Sequence, residues 1–306
     1  MPLLQNKGTD TQPIVSILMT VYNAGKFLKP AIDSLLAQTF NKFELIIIEN
    51  GSEDGSRKTI HSYNDPRIRC FDFDKNIGRT PALIKAFEQA KGEFIAVQDA
   101  DDLSLPQRLE LQINHMLNNP KTVLLGTACK IIDEHDQVIT EFNPPSNSED
   151  AYQALAFENV ICHSSSFYRR DIAKKVGGYP IELAFAQDYG LWIQLAKLGE
   201  IANLPQELVL VHEHSQRVTN FSTSLILRSL DVISCLENAQ TLPKLTKGSI
   251  DILQYRRTTE FGRIAKSNFK MGNFLSGIFW TFKFIQRSPG FIIQRWLKRQ
   301  KHLATV

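Results

Sequence analysis

Three carboxylates stand within four residues at Asp99-Ala100-Asp101-Asp102, directly after residues 93–98, which have the pattern of a strand. Carboxylates this close repel one another unless a cation lies among them. Asp99 and Asp101 are two residues apart, so an extended or tightly turned backbone can aim both side chains the same way. Oxygen ligands favour Mg²⁺ or Mn²⁺, which also bind diphosphate oxygens. The cluster therefore predicts a metal-assisted phosphate site, with a solvated acidic turn as the alternative.

The elements that position this cluster alternate along the first 120 residues. The spacing of apolar residues predicts strands at 14–19, 43–48, 67–73 and 93–98, and helices at 27–36, 80–90 and 106–118. This alternation implies a mostly parallel sheet with helices on both faces. Such sheets bind ligands beyond the carboxyl ends of their strands. We therefore expect the site to be built from residues 20–25, 49–54, 74–79 and 99–102.

The second part of the chain has a looser pattern. It predicts strands at residues 123–132, 138–142, 162–168 and 207–211, a polar loop at 143–148 and a helix at 186–198. Beyond Phe221 the pattern is helical to the end, with breaks near Pro243 and Pro289. The four cysteines are far apart and form no CxxC pair, so we expect reduced thiols rather than a zinc site or a disulfide framework.

Several motifs, taken in order, resemble the family 2 glycosyltransferases, which have the GT-A fold. The matching segments are VSILMTVYN at 15–23, IIIENGSEDGS at 46–56, NIG at 76–78, AKGE at 90–93, QDADDLSLPQR at 98–108, HSSSFYRRDIAKKVGGY at 163–179 and QDYGLWIQL at 187–195. The resemblance covers residues 14–214 and implies a GT-A catalytic domain at 13–220. Residues 1–12 are polar, so we expect a disordered lead-in there, and the helical, basic pattern predicts a helical extension at 221–306. Within the domain, residues 13–120 would bind the nucleotide and residues 121–220 the acceptor.

The resemblance also implies which residues bind the donor. The nucleotide-binding residues would be Thr20, Val21, Tyr22, Glu49, Asn76, Gly78 and Asp99. The first three would cradle the nucleobase, and Glu49 stands where the family usually has Asp. Asp101 would coordinate Mn²⁺ or Mg²⁺, with Asp99 and His214 as further ligands. Asp102 would support the loop.

Asp188 matches the catalytic base of the resembled family. An inverting transfer is a single displacement at the anomeric carbon, and a carboxylate must take the proton of the attacking hydroxyl. The donor would be a UDP-sugar carrying a hexose or N-acetylhexosamine, and the acceptor a hydroxyl of a glycan or of a lipid-linked molecule. The family usually has Glu before this Asp, where the chain has Gln187. Asp188 could also cap the helix that follows, and the two roles are compatible.

Four other residues have open interpretations. Arg79 and Arg108 could contact phosphates, although a surface salt bridge is the simpler expectation for each. For His163 we favour packing or shaping of the acceptor site. Trp192 fits either the core or a wall of that site.

The last 46 residues form a basic segment. Residues 261–306 contain nine Lys and Arg and no Asp or Glu, so the overall charge of +3 leaves −6 for the rest. Basic residues interleaved with Phe and Trp suit a helix on an anionic membrane surface, and a hairpin packed on the catalytic domain is the alternative. No nucleic-acid recognition motif accompanies the charge. We expect a cytoplasmic protein, and the first of these two alternatives would make it peripheral on the cytoplasmic face of the inner membrane.

Two other functions compete with transfer of a sugar. A sugar nucleotidyltransferase would need a glycine-rich, arginine-containing loop after the first strand, whereas residues 20–25 contain one glycine and no arginine. A non-catalytic sugar-binding protein would share the fold but would not turn over UDP-sugars.

Overall fold

The structure is a computed structural model that describes residues 12–214 and 222–287. The first half contains β1 (Val15–Val21), α1 (Leu28–Leu36), β2 (Phe43–Asn50), α2 (Ser56–His61), β3 (Ile68–Phe73), α3 (Arg79–Gln89), β4 (Phe94–Val97), β5 (Leu103–Ser104) and α4 (Arg108–Asn118). The second half contains β6 (Thr122–Ile132), β7 (Val138–Phe142), α5 (Ser148–Leu155), β8 (Phe167–Arg169), α6 (Arg170–Lys175), α7 (Gln187–Ala196) and β9 (Glu200–His212). The chain continues into α8 (Ser222–Ala239), α9 (Lys247–Lys270) and α10 (Phe274–Arg287). Apart from residue 12, the predicted lead-in lies outside the described residues, as does the chain beyond 287.

One sheet of nine strands forms the centre of the molecule. Its order is β3-β2-β1-β4-β8-β6-β9-β5, and β7 pairs with β6. The neighbours β3, β2, β1 and β4 are all parallel, whereas β8 runs antiparallel to both β4 and β6. The predicted α/β class is confirmed. Its parallel part is concentrated in the first half, and the second half is mixed.

Both faces of the parallel strands are buried, which explains their continuous apolar sequences. All eight residues of β2 are buried, as is typical of a central parallel strand. Successive side chains of a strand point to opposite faces. Accordingly Leu18 and Ile46 pack in the core beside α3 and α7, and Ile17 and Ile47 pack in the core beside α1 and α4.

The segment at 162–168 differs from its prediction as one strand. His163–Ser165 form a single 3₁₀ turn, and β8 begins only at Phe167. The serine hydroxyls explain the difference, because Ser165 Oγ donates to the carbonyl of Cys162 at 3.0 Å and Ser166 Oγ donates to that of His163 at 2.7 Å. Such local hydrogen bonds compete with the pairing of a strand.

The C-terminal extension is helical over its described part, as predicted, and breaks around Pro243 between α8 and α9. Thr246 caps α9, where its side chain accepts a hydrogen bond from the Ser249 amide. Among the described helices, none combines the length and hydropathy that crossing a membrane requires. The domain boundary at 220 stays a prediction.

Candidate active site

The loops after β1 and β2 are joined by hydrogen bonds. The Asn23 amide donates to Ser52 Oγ at 3.1 Å, and the Glu53 amide donates to Asn23 Oδ1 at 2.8 Å. Asn23 has a φ of 51°, in the left-handed region that asparagine tolerates better than most residues. The Gly25 amide adds a third link by donating to Asp54 Oδ2 at 2.7 Å.

The loop after β3 is fixed to the same pair of loops by Asn50. Its Nδ2 donates to Asn76 Oδ1 at 3.1 Å, and its Oδ1 accepts from the Ile77 amide at 2.9 Å. Gly51 makes this approach possible: a Cβ there would lie 2.5 Å from the carbonyl carbon of Lys75. The loops that follow three parallel strands therefore form one continuous floor.

The nucleotide-binding residues predicted in and after β1 and β2 differ in their exposure. Tyr22 is 47% exposed, Thr20 is half-buried and Val21 is buried. Glu49 is fully buried: its carboxylate accepts from Arg57 Nε at 2.7 Å and from the Ser52 amide at 2.6 Å. The geometry therefore shows Glu49 shaping its loop through Arg57, and its contact with a nucleotide stays a prediction.

The acidic cluster is tight, but its members have different surroundings. Oxygen atoms of Asp99, Asp101 and Asp102 lie within 4.8 Å of one another. Asp102 is buried and accepts hydrogen bonds from the Ser164 hydroxyl and, at 3.0 Å, from the His212 amide. Its burial and the negative charges of Asp101 and Asp99 raise its pKa well above the ordinary range. Asp102 thus anchors the loop, whereas Asp99 and Asp101 are half-buried.

A guanidinium already lies among these carboxylates. Nη2 of Arg79 lies 2.7 and 2.8 Å from the two oxygens of Asp99, and His163 Nδ1 lies 3.0 Å from Asp99 Oδ1. Burial would lower the pKa of Arg79, but the negative charges of Asp99, Asp188 and Asp101 raise it. The negative charge of Asp188, from the second half of the chain, thus acts on the same arginine as the acidic cluster.

His214 lies where the resemblance implies a metal ligand. Its Nε2 is 3.0 Å from Asp101 Oδ2, and its ring stacks on Phe27 at 4.7 Å between centroids. His212 Nδ1 is 2.5 Å from the carbonyl oxygen of Asp101. Phe27 is not among the predicted site residues, because a lone aromatic residue carries no spacing signal. His212 enters the sequence prediction as a departure from the pattern of the resembled family.

The side chains at this point fit a divalent cation. Asp99 and Asp101 offer carboxylate oxygens, and His214 offers an imidazole nitrogen beside them. Mn²⁺ and Mg²⁺ prefer such oxygen-rich sites. The guanidinium of Arg79 shows that a positive charge is accommodated there.

Asp188 lies in the first turn of α7, whose N-cap position is Ala186. The alternative interpretation of Asp188 as the cap itself is therefore wrong. Its Oδ2 accepts a hydrogen bond from Asn159 Nδ2 at 2.9 Å, and a helix N-terminus favours a negative charge. Trp192, on the same helix, is fully buried and packs against Tyr168 at 5.5 Å, so it belongs to the core.

Arg108 corrects a sequence expectation. It is fully buried and neither reaches a phosphate nor forms a surface salt bridge. It donates to the Val97 carbonyl at 2.8 Å, to Ser104 Oγ at 2.8 Å and to Gln98 Oε1 at 3.1 Å. Burial lowers its pKa to about 10. Arg108 thus supports the acidic loop from below.

The parallel half-sheet and the acidic cluster directly after β4 are the features that the resemblance to GT-A glycosyltransferases predicts. Residues 16–177 match the family described as Glycosyl transferase family 2, and the chain belongs to this family. The chain is 32% identical over 208 residues to the amylovoran biosynthesis glycosyltransferase AmsE of Erwinia amylovora, which covers 66% of this chain and 77% of that protein.

Two solved structures share the fold. TarS 1-349 of S. aureus in complex with UDP-GlcNAc has a TM-score of 0.64 at 18% identity, covering 89% of this chain and 81% of that one. The mannosyltransferase PcManGT from Pyrobaculum calidifontis, in complex with GDP-Man and Mn²⁺, has a TM-score of 0.60 at 16% identity, covering 96% and 85%. The predicted GT-A fold is confirmed.

Proposed function

We propose that the protein is an inverting glycosyltransferase. It would move a hexose or N-acetylhexosamine from a UDP-sugar to a hydroxyl of a glycan or lipid-linked acceptor, with Asp188 as general base. The observation that carries this proposal is the acidic cluster directly after β4, where oxygen atoms of Asp99, Asp101 and Asp102 lie within 4.8 Å of one another in a chain of this family. The UDP-GlcNAc in TarS and the polysaccharide pathway named for AmsE support the donor and acceptor classes.

The donor would lie across the floor and into the cleft. Thr20, Val21 and Tyr22 would hold the base, and Asn76 and Gly78 would border the nucleotide. Asp99, Asp101 and His214 would hold Mn²⁺ or Mg²⁺, and the Mn²⁺ in PcManGT supports this choice. When bound, such a cation supplies positive charge that offsets the charge on the leaving diphosphate.

Asp188 would carry the proton transfer. As the acceptor oxygen bonds to the anomeric carbon, the bond from that carbon to the diphosphate oxygen breaks, and the Asp188 carboxylate takes the hydroxyl proton. The hydrogen bond from Asn159 fixes the direction of this carboxylate. Single displacement inverts the anomeric centre, so no covalent intermediate is required.

Family membership favours transfer of a sugar over the two alternatives. The relative AmsE is named a glycosyltransferase, and neither a nucleotidyltransferase nor a non-catalytic sugar-binding role gains support from the site geometry. A cytoplasmic location, peripheral on the inner membrane, remains part of the proposal. The exposed apolar side chains of α10 support it, among them Leu275 at 85%, Phe274 at 64% and Phe282 at 64% exposure.

The replacement Asp188→Asn tests the proposal. We expect the amide to leave the affinity for UDP unchanged and to lower transfer by about 10²- to 10⁴-fold, because it cannot accept the proton. Transfer would be measured with a panel of UDP-sugars and Mn²⁺, and UDP affinity by calorimetry. Asp171→Asn, at a carboxylate whose side chain is 67% exposed on α6, is the matched control. Near-normal turnover of Asp188→Asn would remove Asp188 from the chemistry.

A further inference from the structure

A second concave site lies between α8 and α9, outside the segment that matches the family. It encloses 610 Å³, within the usual range for small-molecule sites. Its charged lining residues are Arg228, Arg256, Arg263, Lys266, Lys270 and Glu260. We call it the α8–α9 groove. None of the residues proposed to bind the donor or the metal lines it.

The charge of the groove is strongly positive, since five cationic side chains face one carboxylate. Glu260 is 1% exposed and already engaged: it lies 2.6 Å from Arg263 Nη1, 3.5 Å from Arg256 Nη2 and 2.8 Å from Ser229 Oγ. The positive charge that Glu260 does not neutralise can therefore bind a ligand with two or more negative charges.

The spacing of the cations makes an anion favourable there. Arg263, Lys266 and Lys270 are three and four residues apart on α9, so they lie on neighbouring turns of one face. Like charges at these spacings destabilise a helix. An anion among them removes that repulsion and gains charge-assisted hydrogen bonds, for which the planar guanidinium suits phosphate.

Apolar side chains also line the groove. Leu225 is 46% exposed and Met271 is 37% exposed, and both line the groove with the cations. An apolar surface beside a cationic one matches a phosphate that is joined to a hydrocarbon chain. The exposed face of α10 belongs to the same extension.

We infer that the α8–α9 groove binds phosphate groups, either those of an anionic phospholipid or those of a soluble phosphorylated molecule. The two sources share the chemistry that the cations recognise. This inference does not depend on the proposed sugar transfer, because the groove contains none of the residues assigned to it.

The test reverses charge inside and outside the groove. The variant Lys266→Glu/Lys270→Glu changes two groove cations. The control Lys244→Glu/Lys247→Glu makes the same change of net charge on the same extension, and neither lysine lines the groove. Both are compared with the unaltered full chain for sedimentation with phosphatidylcholine vesicles, with and without phosphatidylglycerol, and for calorimetric binding of inorganic pyrophosphate.

For a lipid source, we expect binding only to vesicles with phosphatidylglycerol, weakened about tenfold or more in the groove variant and much less in the control. For a soluble source, pyrophosphate binding is lost in the groove variant, and vesicle binding is weak throughout. Equal losses in both variants would overturn the inference, since net charge alone would explain them. No binding of either probe would also overturn it. UDP-sugar hydrolysis, measured in parallel, keeps this result separate from the proposed activity.

Discussion

The two ends of the central sheet hold carboxylates in opposite situations. At the amino end, Glu44 on β2 accepts hydrogen bonds from Ser16 Oγ at 2.6 Å, Arg69 Nη1 at 2.5 Å and the Lys91 amide at 2.8 Å. Burial would raise the pKa of Glu44, but these partners hold it below its ordinary value. At the carboxyl end, burial and the negative charges of Asp101 and Asp99 raise the pKa of Asp102.

The difference shows at which end of the sheet the carboxylates are neutralised by other residues of the chain. At the amino end the charge of Glu44 is paired within the protein, because each of its carboxylate oxygens has a buried or half-buried partner. At the carboxyl end the negative charges of Asp99, Asp188 and Asp101 act on Arg79, which forms an ion pair with Asp99 and whose side chain is 44% exposed. A cluster that the chain only partly neutralises indicates a cation or a substrate. The predictions below test this contrast, from the largest expected effect to the smallest.

Arg108→Met should give the largest loss of stability. Arg108 is fully buried below the acidic loop. The apolar replacement removes the guanidinium donor from the Val97 carbonyl and from Ser104 Oγ, and it leaves Gln98 Oε1 with the Ser104 hydroxyl as its one remaining donor of the two. We expect the free energy of unfolding to fall by about 3 kcal/mol. Denaturant unfolding monitored by circular dichroism measures it.

Lys85→Met is the control for Arg108→Met. Lys85 pairs with Glu88, and both side chains are about half exposed, at 51% and 50%. Exposed pairs contribute little, so the loss should stay below about 0.5 kcal/mol. Similar losses in the two variants would show that Arg108 does not support the loop as its hydrogen bonds indicate.

Glu44→Gln should have the next largest effect, with a characteristic pH dependence. At neutral pH the amide loses the charge that Arg69 faces, and we expect a loss of about 2 kcal/mol. Because the folded pKa lies below the ordinary 4.5, the contribution of ionised Glu44 is present above that pH and disappears as pH falls through the folded value. The stabilities of the two proteins should therefore converge in acid. A constant difference between pH 7 and pH 3 would contradict this account of the amino end.

Much of the sheet was predictable because its residues follow simple periods. The apolar runs and the turn residues between them place the four parallel strands, β1 to β4, within a residue or two of their observed bounds. The segment at 162–168 was not predictable in this way, because its serines form local hydrogen bonds in place of strand pairing. Helix α5 also escaped prediction: its cap, Asn147, lies in what reads as a polar loop.

Some residues of the candidate site could likewise be predicted, and others could not. Asp99, Asp101 and His214 could be named because the resemblance covers their positions, and the structure brings them together. Arg108 could not be placed, since an arginine in a helical pattern gives no sign that it is buried. The pairing of Glu49 with Arg57 could not be predicted, because it depends on the path of the loop between β2 and α2. Contacts between distant segments carry no local signal.

Arg79→Gln should have opposite effects on stability and on cation binding. It removes the guanidinium that pairs with Asp99, so the metal-free protein should lose about 1 kcal/mol or less, given the exposure of the pair. The same change removes the positive charge that faces Asp99, so Mn²⁺ should bind several-fold more tightly in the absence of a UDP-sugar. Calorimetric titration with Mn²⁺ measures this. Weaker Mn²⁺ binding would mean that Arg79 helps to form the site rather than standing in for the cation.

Asp101→Asn should have the smallest effect on stability. It gives the clearest comparison between the carboxylates at the two ends of the sheet. The amide removes one of three neighbouring negative charges and can still hydrogen-bond His214, so the metal-free protein should change by no more than about 0.5 kcal/mol, in the direction of greater stability. The rise in melting temperature on adding Mn²⁺ should disappear, because a bound ligand stabilises only the state that binds it. Asp171→Asn should keep that rise. If Asp101→Asn instead destabilises the protein as much as Glu44→Gln does, the carboxyl end is held together like the amino end and the contrast fails.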